Sequence, residues 1–598
     1  MTAKPLDLAL LIEPDLVGTY IANKYQEWDM FRGSRVQLWK EVLEYVFATD
    51  TTMTSNSKLP WSNKTTIPKL CQIRDNLHSN YMAALFPKQK WMTWEGDTEE
   101  NDASDKTEAI ESYMEWVVEK NNYYNIVSQL VYDYIDYGNV FTMPVWIDET
   151  NETKDMEQVG YVGPQLRRIS PLDIVFDPTA NAFSKTPKII RSIVSIGEVK
   201  EMLVASSKDE EDRIANEALY AYLTKIRRVA SNAQAIRGTD VVKDRTYQIA
   251  GFSSYHAYLL SNEVEVLTFY GDIYDGQRDT LLRNRVIKIV DRHKIIYNEP
   301  NTSVYGYAPI FHAGWRLRQD NLWAMGPLEN LVGMQYRIDH LENMKADCFD
   351  LVAYPPLKIT GHVEDFEWGP MERIYVGDDG NVELMSPNVQ VLQADSQIDM
   401  LEKKMEEMAG SPKEAVGFRS PGEKTKYEVQ SLENAASRVF QNKITFFERH
   451  IIEPSLNAML ELSRRNMNPT TVRVFNDEFK INVFKDLTRY DLTGVGVLKP
   501  MAARHFAEQA NLVQNLNAFF ASPAGQDQSV TQHFSGIKLA QMWEKLLEAE
   551  PFALVEPFIR LSEQADSQRL MQTHEQQLMQ ESQTASGIGA DFDPTEVQ

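Results

Sequence analysis

The stretch that comes nearest to a chemical signature is GFRSPGEKT, Gly417–Thr425. A phosphate-cradling loop needs G-x-x-x-x-G-K-[ST] directly after a strand, so that backbone amides wrap the phosphates while lysine and hydroxyl reach phosphate and metal. Here Glu423 separates Gly422 from Lys424 and the residues ahead of the loop read as helix, so ATP binding is not expected. The ten histidines form no HExxH or compact cluster, and His312 and His340 read as ordinary polar contacts. Asp173 and Asp177 invite a cation, yet no calcium-loop or histidine pattern goes with them, and turn or ion-pair roles fit better. The chain has no GxSxG elbow, paired CxxC or Rossmann glycine pattern. Carboxylates this abundant single out no acid–base pair. No residue is assigned to catalysis, to a cofactor or to a metal.

Three charged groups offer binding rather than reaction. Lys413, Arg419 and Lys424 sit in a loop broken by prolines and glycines, Ser411–Lys424. Copies of that loop arranged in a ring would place positive charge around a DNA backbone, although it reads equally as a solvent-exposed hinge with incidental basic residues. Lys88, Lys90, Trp91 and Trp94 combine cation and ring as a phosphate contact would, but packing at a subdomain corner is the preferred reading. Glu402, Glu406 and Glu407 lie on one helix and read as an acidic surface, a subunit interface or a plain solvated face.

The chain that must position these groups has 598 residues, enough for about three to five domains. Hydrophobic residues make up 43%, as in a folded protein. Against 61 basic side chains stand 86 acidic ones, a formal charge of -25, which argues against tight nonspecific nucleic-acid binding over most of the surface. It leaves room for a channel through which a polyanion slides without sticking. With only Cys71 and Cys348, no disulfide framework is expected and a reducing compartment is the better assumption. No cleavage site follows the short apolar run near the start, and no run reaches the roughly 18 apolar residues of a spanning helix, so a soluble, unexported protein is expected.

Periodicity predicts a long helix over Pro14–Ala48, with Gly33 as a candidate break, and a second that Pro68 opens and Pro87 ends. A further helix carries Tyr113, Trp116, Val117, Tyr123, Val127, Leu130 and Tyr134 and stops at Gly138. Strands are expected at Val140–Trp146, within Arg167–Ala180, at Gly251–Leu260, Val264–Tyr270 and Arg285–Val290, with helices at Glu198–Leu203 and Lys208–Ala230 between them. From Asn321 to Asn468 the pattern is helix (Gly326–Phe349), a strand-bearing excursion (Tyr354–Pro387), helix (Ser396–Ala409), loop, and a long helix that Pro454 should bend. Thr471–Phe475 and Lys480–Phe484 return to strand character, helices follow from near Pro500, and the glutamine-rich end reads as disordered over Thr584–Gln598.

The order of these pieces carries a resemblance. GPLENLVGMQYRIDHLENMKADCFDLVAYPP at Gly326–Pro356, DSQIDMLEKKMEEMAG, the Ser411–Lys424 loop and Thr425–Leu460 together resemble the portal proteins, the head-to-tail connectors of tailed bacteriophages, most closely those of short-tailed phages. YGNVF at Tyr137–Phe141 and ISPLDIVFDP at Ile169–Pro178 resemble parts of the family's wing. The resemblance spans about residues 10 to 560 and implies an α+β, predominantly helical, ring-forming fold with wing, stem, clip and crown regions. On this sequence it places a mixed wing at 1–320, a first stem helix at 321–350, a clip at 351–395 and a second stem helix at 396–410. A tunnel loop follows at 411–424, a long wing helix with strands at 425–499, the crown at 500–583 and a disordered tail at 584–598. It further implies a non-enzymatic homododecamer at one capsid vertex in the virion, assembled in the host cytoplasm, with double-stranded DNA passing through it. The partners it implies are the terminase large-subunit ATPase, tail-adaptor proteins, the major capsid protein and scaffolding or internal core proteins, with no membrane. Two other readings stay open: a nucleic-acid-processing enzyme or motor component, and a non-portal scaffold or internal core protein.

Overall fold

The structure, a computed structural model, describes residues 6–7, 14–86, 91–98, 101, 104–153, 156–206, 210–227, 263–275, 279–290, 292, 294–361, 363, 374–385, 389–409, 440, 442–467, 470–476 and 481–500. All belong to one compact unit, Met1–Ala503. The helices and tail expected beyond Pro500, the strand expected at Gly251–Leu260, the Ser411–Lys424 loop and the first part of the long helix after it lie outside the described residues.

After a two-residue strand, β1 (Leu6–Asp7), comes α1 (Pro14–Phe47), about 50 Å long at 1.5 Å per residue. Gly33 does not break it, and a side chain there would meet open space. The inner stripe of α1 crosses three apolar clusters in turn. Ile21, Tyr25 and Trp28 pack with Leu267 and Phe269, Val36 and Trp39 with Phe141 and Trp323, and Val42 and Val46 join the largest cluster. Arg32, fully buried on the same helix, donates to the carbonyls of Pro171 (2.6 Å) and Ile174 (2.7 Å), so its charge is met by backbone dipoles as well as by Asp29.

Next comes α2 (Lys69–Leu85), directly after Pro68 as expected, and then β2 (Met92–Gly96). The single helix expected through Tyr113 and Tyr134 is two: α3 (Ser104–Lys120) and α4 (Tyr123–Asp136). Asn122 separates them at φ 53°, a left-handed conformation that asparagine tolerates better than most residues. Gly138 follows α4 at φ 66°, where a Cβ would run into the backbone of Gly326, so both the turn and the close approach require glycine.

Strands β3 (Asn139–Thr153), β4 (Met156–Ile169), β5 (Ile174–Phe176) and β6 (Lys188–Ser195) lead to α5 (Ile196–Ser206) and α6 (Glu210–Arg227), then to β7 (Glu263–Asp275), β8 (Thr280–Val290) and β9 (Lys294–Pro300). A six-stranded sheet runs β5-β6-β7-β8-β9, antiparallel throughout, with β1 added in parallel to β7. One face packs on α1 through Leu267, Phe269, Ile287 and Ile289. The alternate residues face the other way, as the period of two requires. A second sheet runs β10-β3-β4, where β10 is Phe311–Gly314. The hairpin of β11 (Arg316–Arg318) and β12 (Asn321–Met325) leads into the central helices.

These are α7 (Val332–Ala353), α8 (Asp395–Ala409) and α9 (Glu453–Asn466). Between α7 and α8 stands the hairpin of β13 (Leu357–Thr360) and β14 (Asn381–Leu384). The bend expected at Pro454 takes the form of a π turn at Glu448–Ile452, directly ahead of α9. Proline has no N–H to return to the preceding turn, and a wider turn spares the carbonyl that its ring would crowd. Strands β15 (Thr470–Asn476) and β16 (Ile481–Leu487) pair with each other. Gly496 opens β17 (Gly496–Pro500), which pairs with β2. The largest core joins α2, α3, α4, α7, α8 and α9 around residues such as Tyr81, Tyr134, Ile338, Met405 and Leu456. The fold is mixed α and β, in agreement with the α+β class expected.

Candidate functional site

The region singled out by the sequence, α7 with its hairpin and α8, is held to the body by a polar stripe that is buried at Gln335, Asp339 and Asn343 and opens to solvent toward Asp350. In α7, Gln335, Asp339, Asn343, Asp347 and Asp350 recur at near-helical spacing and would pass for a solvated face. They grip the extended segment Ser62–Pro68 and the first turn of α2 instead. Gln335 Oε1 accepts from Leu70 N–H (3.1 Å), Asp339 from Ile67 N–H (3.2 Å) and the Thr66 hydroxyl (3.0 Å), and Asn343 Oδ1 from Thr65 N–H (2.8 Å). Asp347 accepts from the N–H groups of Ser62 (2.8 Å) and Asn63 (2.9 Å). In return Gln335 Nε2 donates to Ile67 O and Asn343 Nδ2 to Thr65 O. Side chains of a helix thus supply the partners that a neighbouring strand would otherwise give an extended chain. Burial raises the Asp339 carboxyl to about 6 despite these donors. For Asp347 burial is the largest single influence and raises the carboxyl, but the Asn63 and Ser62 amides, the Asn63 side chain and the Lys64 charge together outweigh it and leave the carboxyl lowered.

The acidic group on α8 divides. Glu407 is exposed, but Glu406 is buried and its carboxylate lies 2.5 Å from Lys69 Nζ, with Glu402 at 3.4 Å from the same nitrogen. Glu406 is therefore not part of an open acidic surface. The buried face of α8 runs through Ile398, Met405, Glu406 and Ala409, while Met408 is exposed. Lys69, itself buried in the first turn of α2, draws the carboxylates inward and sets that rotation.

Beyond Cys348 the character of α7 changes. Phe349, Leu351, Val352 and Tyr354 are exposed, and so are Ile359, Tyr375, Leu384 and Met385 on and beside the hairpin, with Met400 and Met408 on α8. The hairpin is two-stranded, and its strands are exposed at most positions. Two strands alone are marginal in water. Gly361, at φ 81°, makes the close pass against the Asp379–Gly380 turn that fixes the pairing of Leu357 with Leu384. Beside the hairpin, Val376 makes a single antiparallel bridge to Val363.

The remaining candidates resolve as contacts. His312 is packed among Phe141, Phe176 and Phe183, stacked on Phe141 at 4.6 Å, with Nε2 3.2 Å from Asn139 Oδ1. Burial pushes its pKa down to about 3. His340 Nδ1 accepts from Trp61 Nε1 at 2.9 Å. Asp177 accepts from Thr179 N–H and hydroxyl in a tight turn. Trp94 is buried with Nε1 donating to Asn101 O, and Trp91 stacks on Tyr123, so both rings pack as preferred. Lys88, Lys90, Lys413, Arg419 and Lys424 lie outside the described residues. Among the described residues no group of His, Cys, Asp and Glu is placed to hold a metal ion, and no helix is long and apolar enough to cross a membrane.

No family model matches the chain, and no curated protein matches it significantly.

Proposed function

We propose that this chain is the subunit of a portal, a ring at one capsid vertex of a tailed phage through which double-stranded DNA enters and leaves. One observation carries the reading: among the described residues, α7, the β13–β14 hairpin and α8 carry a row of exposed apolar side chains with no cover. Burying one large apolar side chain contributes about 1.5–3 kcal/mol, and a row of them repeated around a ring supplies a strong drive to assemble. The occupant of that surface is a second copy of this chain, because these elements are the ones that the resemblance to portals assigns to stem and clip. The charge of -25 suits a conduit whose walls should not hold DNA tightly. In this reading the protein is not an enzyme. The packaging motor, a terminase ATPase, docks on the hairpin tip, tail adaptors follow it, and major capsid and scaffolding or internal core proteins surround the body. Lys413, Arg419 and Lys424 stay candidates for approach to DNA.

Particle imaging and native mass measurement of the purified chain test this. A closed ring with an axial channel, near twelve copies, is the expected result; a filament, a compact monomer or a channel-free assembly overturns it. The double variant Ile359→Glu, Leu384→Glu should shift the population toward single chains without changing their helix content. ATP hydrolysis abolished by Lys424→Ala would favour a motor component instead.

A further inference from the structure

Among the described residues, the face of the six-stranded sheet turned away from α1 is incompletely covered. Lys288 is paired with Thr268 and Thr268 with Ile190, so the three form a row across β8, β7 and β6, with Tyr270 two residues further along β7. Alternation points this row away from Leu267 and Phe269. Two apolar clusters pack on this far side without merging: one contains Phe141, Ile169 and Ile190, the other Val199, Leu203, Val266 and Val290 beneath α5. A cavity of about 470 Å³ lies there, lined by Arg167, Thr268, Tyr270 and Lys288 on its polar side and by Met143 and Met202 among its apolar walls. Its volume falls within the roughly 300–1,000 Å³ of ordinary small-molecule sites.

The charges around it are unequally matched. Arg168 is held by Asp133 at 2.5 and 2.6 Å, and Arg191 by Glu265 at 2.8 Å. Of the lining carboxylates, Glu198 accepts from Ser195 N–H at 3.2 Å in a helix cap, and Asp173 lies close enough to act on Arg168 and Asp133. Arg167 and Lys288 have no carboxylate partner within salt-bridge distance among the described residues. They are near enough to oppose each other: burial first, and then the charge of Arg167, lowers the pKa of Lys288. Two repelling cations that line one cavity with Thr268 and Tyr270, the Lys288 ammonium lying over the Tyr297 ring at 5.5 Å, are stabilised by an anion between them. A guanidinium fork matches phosphate oxygens, an ammonium adds a point charge, and methionines adapt to whatever body the anion carries.

We propose that this cavity binds a small phosphate-bearing organic anion of about mononucleotide size, independently of any assembly of the chain. Equilibrium dialysis of the full-length protein against adenosine monophosphate, with adenosine as the uncharged comparison, tests it. In about 0.15 M salt the nucleotide should bind saturably, one per chain, and adenosine should not. Arg167→Gln, at an exposed position where folding is not at risk, and Lys288→Met should each weaken binding at least about tenfold, as loss of a charge-assisted hydrogen bond implies. Lys288→Arg should retain binding. Absence of saturable binding, equal binding of adenosine, or unchanged binding in the Arg167→Gln protein would each overturn the proposal.

Discussion

His312 shows how burial turns a familiar switch residue into a fixed one. Enclosed by three phenylalanines, it stays neutral down to about pH 3, because desolvation and the charges of His450 and Lys188 all oppose protonation. In the unfolded chain it takes up a proton near the ordinary value of about 6.5. The unfolded state therefore binds more protons between these two values. Its contribution to stability is full above about pH 6.5 and is lost as pH falls toward 3. Asp339 works the other way, since a carboxyl raised to about 6 gains stability as pH falls through that value. His312→Phe keeps the stacked ring, and Asn139 Oδ1 retains its bond from Ala324 N–H at 2.9 Å. Between pH 7 and pH 5 this variant should lose up to about 2 kcal/mol less stability than the parent, measured by urea unfolding at the two values. Sequence reading placed His312 among ordinary contacts, and the geometry agrees. It had no means of finding Arg167 and Lys288, whose significance lies in the carboxylates that are not beside them.

The junction of α2 with α8 rests on Lys69 between Glu402 and Glu406. Removing one member of a buried pair strands the other, at a cost of about 3–5 kcal/mol, whereas replacing both with apolar residues of similar size is often neutral. Lys69→Met should accordingly destabilise the chain by that amount, and Lys69→Met with Glu406→Met should recover most of it. Thermal unfolding of the two single variants and the double variant gives the coupling directly. Most helices and strands were legible because their apolar spacing is local, and α1, α2, α8 and β7 all fall where periodicity puts them. The split between α3 and α4 had a local signal too, the paired Asn121 and Asn122, outweighed by an apolar stripe that continues across it. Glu406 and the polar stripe of α7 were not legible. A carboxylate or amide on a helix looks the same whether it faces water or a chain segment some 270 residues upstream, as Asp339 faces Ile67.

The charge of the whole chain sets how copies of it would meet. Subunits carrying -25 each repel over about 10 Å at 0.1 M salt, while contacts through Ile359, Leu384 and Met385 are indifferent to screening. Raising salt from about 0.05 M to 0.3 M should therefore increase the assembled fraction seen by mass photometry, and a decrease would mean that ion pairs rather than apolar contacts join the copies. The stripe on α7 bears on what such an assembly could withstand. Its bonds to Ser62–Leu70 are strung along the helix, one turn after another. A pull parallel to the helix axis shears them all at once, and a pull across it at Trp61 peels them singly. The joint between helix and body is thus stiff along one direction and weak across it, which makes α7 a strut.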